Sequence, residues 1–306
     1  MSTGELLDRT FALYKSHLLL FAAIAAPAPA LYMLFQLAVA AFGSVTPVMG
    51  PGIPGFSPKA VIGSMSVIFV GFFAYLLGWS ITNAATVRAV SFVHLGQPTT
   101  AGAAYSWLKG RYLRIVGVFL LVTLIVLGGS ILLYIAGALI AALLLAAAIK
   151  LGTAATAIAV VVGICAIIAS ILLAITLYVR YSLAVQACVV EDIGILQSLK
   201  RSKFLAKGSR NRILTVYMLF AVLQAVIGLT LGLVSSSATA ALNSVRLTQA
   251  MSALTGFVAG VMTSPLGSIA MSLVYYDERV RKEAFDLQLM MNALDRPTAG
   301  AASSAT

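Results

Sequence analysis

The sequence predicts an all-α integral membrane protein with about six transmembrane helices. Of its 306 residues, 61% are hydrophobic and only 9% are charged, and the mean hydropathy is +1.02. A soluble domain of this size carries roughly a quarter charged residues, so this composition cannot build a water-facing surface. The apolar segments are long, unbroken and rich in Leu and Ala. A transmembrane barrel would instead show segments of about ten residues that alternate apolar with polar, so helices are predicted.

Six charge-free segments are long enough to cross a hydrocarbon core of about 30 Å. They cover residues 18–42, 60–87, 115–149, 151–179, 213–245 and 247–276. The third would extend about 50 Å as one straight helix, so it must tilt, break near Gly128-Gly129 or Gly137, or emerge from the membrane. The fifth is similarly long, and its polar end at residues 235–237 and Asn243-Ser244 is expected outside the hydrocarbon.

The basic residues predict the orientation of these spans, because cytoplasmic loops carry an excess of Lys and Arg. With the N-terminus in the cytoplasm, all but three of the 20 Lys and Arg residues, and all nine acidic residues, fall on the cytoplasmic side. Only Lys59, Lys150 and Arg246 fall outside. Removing one span would scatter the charges over both faces. The sequence therefore predicts a multi-pass protein with both termini in the cytoplasm.

A cleaved secretory signal peptide is the alternative interpretation of the first forty residues, since Ala28-Pro29-Ala30 resembles a cleavage site. Two features favour a retained first helix instead. Glu5 and Asp8 precede the apolar run, and the run continues to Phe42 after the supposed cut.

Amphipathic segments precede three of the spans on the predicted cytoplasmic side. Residues 2–17 place apolar side chains on one half of a helical wheel and charged ones on the other, which predicts a helix in the headgroup plane. A second segment starts at Thr99 or Thr100 and runs to Arg111, and a third covers 194–207. The chain is therefore predicted to contain three tandem units, each an interfacial helix followed by a transmembrane hairpin.

A further amphipathic helix is predicted after the last span. Residues 278–294 repeat apolar side chains at alternating spacings of four and three, as a helix with one apolar face requires. Residues 1–294 thus form a single transmembrane domain. Residues 295–306 are short and rich in Ala and Ser, and are expected to be a disordered tail.

Three segments on the predicted cytoplasmic side resemble a known family. They are Gly4-Glu5-Leu6-Leu7-Asp8, then Ser198-Leu199-Lys200-Arg201-Ser202 with the basic residues that follow it, and Leu273-Val274-Tyr275-Tyr276-Asp277-Glu278-Arg279 continuing to Leu287. Together they resemble the bacterial membrane domain named after glycerophosphoryl diester phosphodiesterases. Glu278 and Ala284 depart from the family pattern, which has an apolar residue and a glycine there.

The resemblance implies a non-catalytic protein of the bacterial inner (plasma) membrane. In the two-part enzymes of that family, hydrolysis belongs to a separate soluble barrel that uses histidines, carboxylates and a divalent metal. The histidines of this sequence, His17 and His94, are each isolated. The resemblance therefore implies a membrane scaffold, anchor or lipid-associated module, for which we expect no catalytic, cofactor-binding or metal-binding residues.

The basic segment 200–212 is the candidate binding surface. It contains six basic residues and no acid: Lys200, Arg201, Lys203, Lys207, Arg210 and Arg212. Each basic residue close to an anionic leaflet gains about 1 kcal/mol, so anionic inner-leaflet lipids are the favoured partner. A cytoplasmic or membrane protein is the alternative partner, nucleic acid is not expected, and the oligomeric state stays open.

A small-solute or lipid transporter or channel is the alternative function. No ionisable group lies inside a predicted span, which argues against a coupled carrier. Pro27 and Pro29 in the first span and Pro265 in the sixth interrupt their helices at similar depth, a pattern that is typical of a cavity between two spans and also of simple packing kinks. Gln36 and Gln224 would line such a cavity or hydrogen-bond neighbouring helices.

A lipid-modifying enzyme is the third alternative. The carboxylate pairs Glu191-Asp192 and Asp277-Glu278 would carry its chemistry, since general acid–base catalysis needs positioned carboxyl groups. Each pair lies near Arg or Lys in the sequence, so ion pairing at the membrane surface is the expected role.

Overall fold

The computed structural model describes residues 3–42, 58–94, 96–240 and 245–294, and these residues form eleven helices and no strand. The helices are α1 (Thr3–Ser16), α2 (Leu18–Ala25), α3 (Pro27–Phe42), α4 (Pro58–His94), α5 (Ala101–Trp107), α6 (Tyr112–Leu151), α7 (Thr153–Tyr181), α8 (Ala184–Glu191), α9 (Ile195–Ala206), α10 (Arg210–Ala240) and α11 (Val245–Leu294). The predicted all-α fold is confirmed.

Five of the described helices, α4, α6, α7, α10 and α11, are long and apolar enough to cross a membrane. The helices α2 and α3 are bent by 43° relative to each other and make a sixth span if the pair is counted as one. The bend lies at Ala26, next to Pro27, which begins α3 and has no N–H to continue the hydrogen bonding of α2. The protein is therefore a multi-pass integral membrane protein with five to six spans.

The helix α6 is continuous. Of the three alternatives for the long third segment, the break near Gly128-Gly129 or Gly137 is therefore excluded, and tilting or emergence from the membrane is left. Gly137 serves the contact between α6 and α7 instead. A Cβ atom added to Gly137 would lie 2.1 Å from the Cβ of Ala166, so only a glycine permits this approach of the two helices.

The predicted C-terminal helix 278–294 is helical, but it is the continuation of the sixth span rather than a separate element. No Gly or Pro follows Gly267 before the end of α11, so nothing in the sequence stops the helix at Asp277. Arg281 lies 2.9 Å from Asp277 and Arg279 lies 2.8 Å from Glu283, each four residues apart, and both pairs favour the helix through this point. The predicted loop 43–57, Asn243-Ser244 and the predicted tail 295–306 lie outside the described residues.

Four short helices surround the spans, of which three were predicted. The amphipathic segments became α1, α5 and α9, and the side chain of Thr100 accepts a hydrogen bond from the N–H of Ala103 to cap α5 as expected. The fourth, α8, was not predicted, because its eight residues show no amphipathic pattern. Residues 184 to 189 of α8 are all buried, so this helix lies inside the protein core.

The protein core lies at one end of the bundle, which we call the charged end: the end at which α4 and α7 finish and α6 and α10 begin. Phe21, Leu108, Ile213 and Tyr275 are among its fully buried side chains. The far half of the α6–α7 hairpin is different, since apolar residues such as Leu143 are exposed there. The bundle therefore packs tightly at its charged end and offers apolar side chains to lipid elsewhere.

Candidate functional site

Asp192 joins the end of α8 to the start of α6. It has a left-handed backbone conformation with a φ of 52°, which ends α8 and turns the chain toward α9. Its carboxylate accepts hydrogen bonds from Arg111, with Nε 3.1 Å from Oδ1, and from Arg114. Arg114 also donates to the Asp192 carbonyl at 3.0 Å. This carboxylate is therefore held by two arginines.

Arg201 joins α8, α9 and α11. Its Nε lies 2.8 Å from Oε1 of Glu191, and its guanidinium also donates to Glu283. Partial burial of Arg201 disfavours its charge, but hydrogen bonds to Glu191 and Glu283 outweigh burial and raise the pKa of its guanidinium. The hydroxyl of Tyr275 donates a second hydrogen bond to Glu191. Glu191 is thus a structural carboxylate shared between three helices.

Arg212 makes the corresponding link between α10 and α11. It donates to Asp277 and, at 2.9 Å, to Glu278. The Ser209 hydroxyl donates to Glu278 at 2.5 Å. Asp277 is 8% exposed and Glu278 is 3% exposed. Burial of two carboxylates is tolerated only when they are paired and hydrogen-bonded, as Asp277 and Glu278 are here.

The predicted basic patch of 200–212 is divided by the structure into inward and outward residues. Arg201 and Arg212 point inward to the carboxylates. The other four side chains are exposed and form no ion pair within the described part of the chain: Lys200, Lys203, Lys207 and Arg210. Lys200 and Lys203 lie on α9, Lys207 directly follows it and Arg210 begins α10. Beside them on α9 are Leu196, 67% exposed, and Phe204, 53% exposed. We call this set of six residues the outer face of α9; it combines positive charge with apolar surface.

A cavity of about 240 Å³ lies between the α6–α7 hairpin and the α10–α11 hairpin, just inside the charged network. Residues of α4, α6, α7, α8, α10 and α11 line it, together with Ser182 in the turn before α8. Its walls are partly aromatic, with Trp79, Phe119 and Phe220, and with Tyr178, whose hydroxyl donates to that of Tyr217. No charged residue is among the described lining residues.

Three buried polar atoms that lack a hydrogen-bond partner among the described residues belong to side chains that line this cavity. They are Oδ1 of Asn83, Oε1 of Gln186 and Oγ of Ser264. A buried polar atom without a partner costs roughly 1–3 kcal/mol, so three around one cavity call for an occupant that bonds them. The cavity has room for about eight waters at about 30 Å³ each, or for a small polar group.

The proline and glutamine residues predicted to mark a cavity are spread over three places. Gln224 lines the cavity, and the buried Pro265 adjoins its lining residue Ser264. Pro29 instead packs against α11, where a Cβ on Gly260 would lie 2.9 Å from its Cγ, and Pro27 begins α3.

Gln36 lies at a second, more open pocket of about 240 Å³, with residues of α3, α4 and α11. That pocket is the one between the first and sixth spans. The cavity with the partnerless polar atoms lies elsewhere, and the first span contributes nothing to its described lining.

Sequence reasoning did not find Asn83, Gln186 or Ser264. Gln186 had a usable signal, since it is the single strongly polar residue between Ser182 and Glu191 in an apolar stretch. Asn83 and Ser264 each lie in long apolar helices, where isolated Asn and Ser residues commonly bond the helix itself or a neighbouring helix. Their convergence from three helices is visible only in the fold.

Comparison with protein-family models found no match for this chain, and comparisons with curated proteins and with solved structures found none either. The resemblance to the membrane domain of glycerophosphoryl diester phosphodiesterases therefore stays a prediction, and the function is argued from the geometry of the charged end, the outer face of α9 and the cavity.

Proposed function

We propose that the protein is a non-catalytic, lipid-associated scaffold of the bacterial inner membrane, with its charged end in the cytoplasm. The observation that carries the proposal is the outer face of α9, where four basic side chains without an ion-pair partner among the described residues accompany exposed Leu196 and Phe204. This role matches the membrane domain that the sequence resembles.

The outer face of α9 has the chemistry of a helix that lies on an anionic leaflet. Each basic side chain near such a surface contributes about 1 kcal/mol, so four contribute several. Leu196 and Phe204 add the apolar contact by which interfacial helices enter the headgroup region. A cytoplasmic protein with an acidic surface would use the same residues, and it is the alternative partner.

The arrangement of the carboxylates supports a scaffold over an enzyme. A general acid or base has to reach the bond that reacts. Glu191, Asp192, Asp277 and Glu278 are instead each bonded to arginine and connect α6, α8, α9, α10 and α11 to one another. Their role in this proposal is to hold the charged end rigid beneath the outer face of α9.

The test compares the triple variant Lys200→Gln, Lys203→Gln, Lys207→Gln with a charge-matched control, Lys59→Gln, Lys150→Gln, Arg246→Gln, whose positions the sequence places on the opposite side. Each protein is released from nanodiscs of mixed phosphatidylglycerol and phosphatidylcholine, and retained lipids are counted by native mass spectrometry. We expect the α9 variant to retain less phosphatidylglycerol while the control does not change. Equal retention by both variants would contradict the proposal.

A channel or carrier is the second candidate function, and the cavity is the observation that favours it. Its polar atoms and its position between two hairpins are those of a solute site in a transporter. Uptake of a solute into proteoliposomes that is lost when Gly267→Leu fills the cavity would establish this function in place of the scaffold.

A further inference from the structure

We propose that the cavity binds the uncharged, hydroxyl-bearing headgroup of a membrane lipid, of the class of diacylglycerols and neutral glycolipids. The inference deepens the lipid-associated role proposed above and rests on it. The residues are different, because none of the outer face of α9 lines the cavity.

The partnerless atoms select a ligand that donates hydrogen bonds. Gln186 is only 3% exposed, and its Oε1 has no donor among the described residues. Oδ1 of Asn83, which also lines the cavity, likewise has no donor among the described residues. Amide oxygens accept and never donate, so two of the three atoms need an O–H or N–H from the occupant. A hydroxylated headgroup supplies such donors, and the Ser264 hydroxyl can either donate to it or accept from it.

The absence of charge from the described lining selects an uncharged headgroup. The phosphodiester group of a phospholipid offers only acceptors, so it cannot itself satisfy the oxygens of Asn83 and Gln186. It would also place a negative charge in a site where no described lining residue is cationic, at a high desolvation cost. The nearest arginine on α10, Arg212, is already paired with Asp277 and Glu278.

The aromatic walls suit the apolar side of such a headgroup. Trp79 and Phe220 supply flat apolar surface for the C–H groups of a glycerol or sugar. The paired hydroxyls of Tyr178 and Tyr217 mark the contact of α7 with α10 and lie at the same cavity. The aromatic side chains therefore make apolar contacts while the polar atoms of the lining bond the hydroxyls.

The size and openings of the cavity favour a lipid over a free molecule. A volume of about 240 Å³ holds a headgroup but no acyl chain. Two lining residues of α10, Ala221 and Gln224, are exposed, so the cavity opens beside them. Gln224 is twelve residues from Arg212, about 18 Å along the helix, so this rim lies on the apolar span of α10 where acyl chains can continue into the bilayer.

Photoaffinity labelling in nanodiscs tests the inference. Three photoreactive probes are compared: a diacylglycerol, a phosphatidylglycerol and free glycerol, with labelled residues mapped by mass spectrometry. Gly267→Leu fills the cavity, since an added Cβ at Gly267 meets nothing within 4 Å. Gly256→Leu is the matched control, because it lies on α11 with the same open space but does not line the cavity.

We expect the diacylglycerol probe to label residues 221–224 and 263–268 in the native chain and to label them equally in Gly256→Leu. In Gly267→Leu we expect about tenfold less labelling, which corresponds to the free energy of one or two buried hydrogen bonds. Gln186→Met, which removes one acceptor at nearly constant volume, should also lower labelling, so the test does not depend on one variant.

Other outcomes overturn the inference. Equal labelling of these positions by phosphatidylglycerol would contradict an uncharged headgroup. Labelling by free glycerol alone would show that the ligand is soluble. If no probe labels these positions, water fills the cavity. The α9 triple variant separates the two proposals. If it retains as much phosphatidylglycerol as the native chain and its cavity is still labelled, the proposal for the outer face of α9 is rejected and the proposal for the cavity stands.

Discussion

The hydroxyl of Tyr14 donates a hydrogen bond of 2.9 Å to the main-chain carbonyl of Met262, and this contact ties α1 to the middle of α11. Met262 lies fifteen residues before Asp277, which is about 22 Å along the helix. The preceding residue, Val261, has a carbonyl without a helical N–H partner, because Pro265, four residues later, has no N–H. The amphipathic helix therefore docks beside the interruption in the sixth span, well away from the carboxylates.

An aromatic contact also holds α1 against α10. Phe11 contacts Phe220, with ring centroids 6.2 Å apart, and Phe220 is eight residues into α10 from Arg212. Phe11 and Tyr14 therefore attach α1 to both α10 and α11.

Removal of the Tyr14 hydroxyl should weaken the docking of α1. A single hydrogen bond contributes about 1 kcal/mol, so we expect Tyr14→Phe to lower the free energy of unfolding by about that amount. Thermal unfolding in detergent measures the change. Tyr134→Phe is the control, because Tyr134 is 47% exposed on α6 and has no hydrogen-bond partner among the described residues. Equal melting temperatures for Tyr14→Phe and the native chain would show that other contacts hold α1.

Arg212 and Arg210 offer a matched pair of variants at the start of α10. Arg212 bonds two buried carboxylates, whereas Arg210 is exposed without an ion-pair partner in the described residues. Removing one partner of a buried pair leaves uncompensated charge and costs about 3–5 kcal/mol. Arg212→Ala should therefore destabilise the protein by about 3 kcal/mol, and Arg210→Ala should change it little. Similar melting temperatures for the two variants would contradict the proposed structural role of Asp277 and Glu278.

The contrast between these two arginines shows what the sequence could and could not predict. Apolar length and charge placement depend on local composition, so the first five predicted spans and the amphipathic helices α1, α5 and α9 correspond to observed helices, while the helix of the sixth continues to Leu294. Whether Arg210 or Arg212 points inward depends on the rotation of α10 against α11, which is set by packing between helices far apart in the chain. No local periodicity contains that information.

The same reason explains the element and the cavity that were missed. The helix α8 is apolar because it is buried by protein, and hydropathy cannot distinguish that environment from lipid. The cavity is assembled from Asn83, Gln186 and Ser264, on three helices about 80 to 180 residues apart, and each residue alone has an ordinary local role. The predicted cavity between the first and sixth spans relied on prolines, and Pro29 turned out to be packed on Gly260.

Gly260 tests that packing role of Pro29. A Cβ at Gly260 would approach Cγ of Pro29 to 2.9 Å, and the rigid ring can move only with its backbone. Overpacking of this kind costs about 1–3 kcal/mol, so Gly260→Ala should lower the thermal stability in detergent. Gly256→Ala, one helical turn earlier with open space at its Cβ, should keep or slightly raise it. Unchanged stability in Gly260→Ala would show that α3 and α11 can separate at this point, as a solute path between them would require.

The orientation of the charged end is the last prediction, and cysteine labelling tests it. Cys165 is exposed, so it is first replaced by Ala, while Cys188 is buried and stays in place. Ser106→Cys then reports the charged end from α5, and Thr153→Cys reports the opposite end from the turn between α6 and α7; both positions are exposed. Because the basic residues concentrate at the charged end, we expect a membrane-impermeant maleimide to label intact cells at residue 153 and to reach residue 106 only after lysis. Labelling of residue 106 in intact cells would reverse the orientation and remove the anionic inner leaflet as the partner of the outer face of α9.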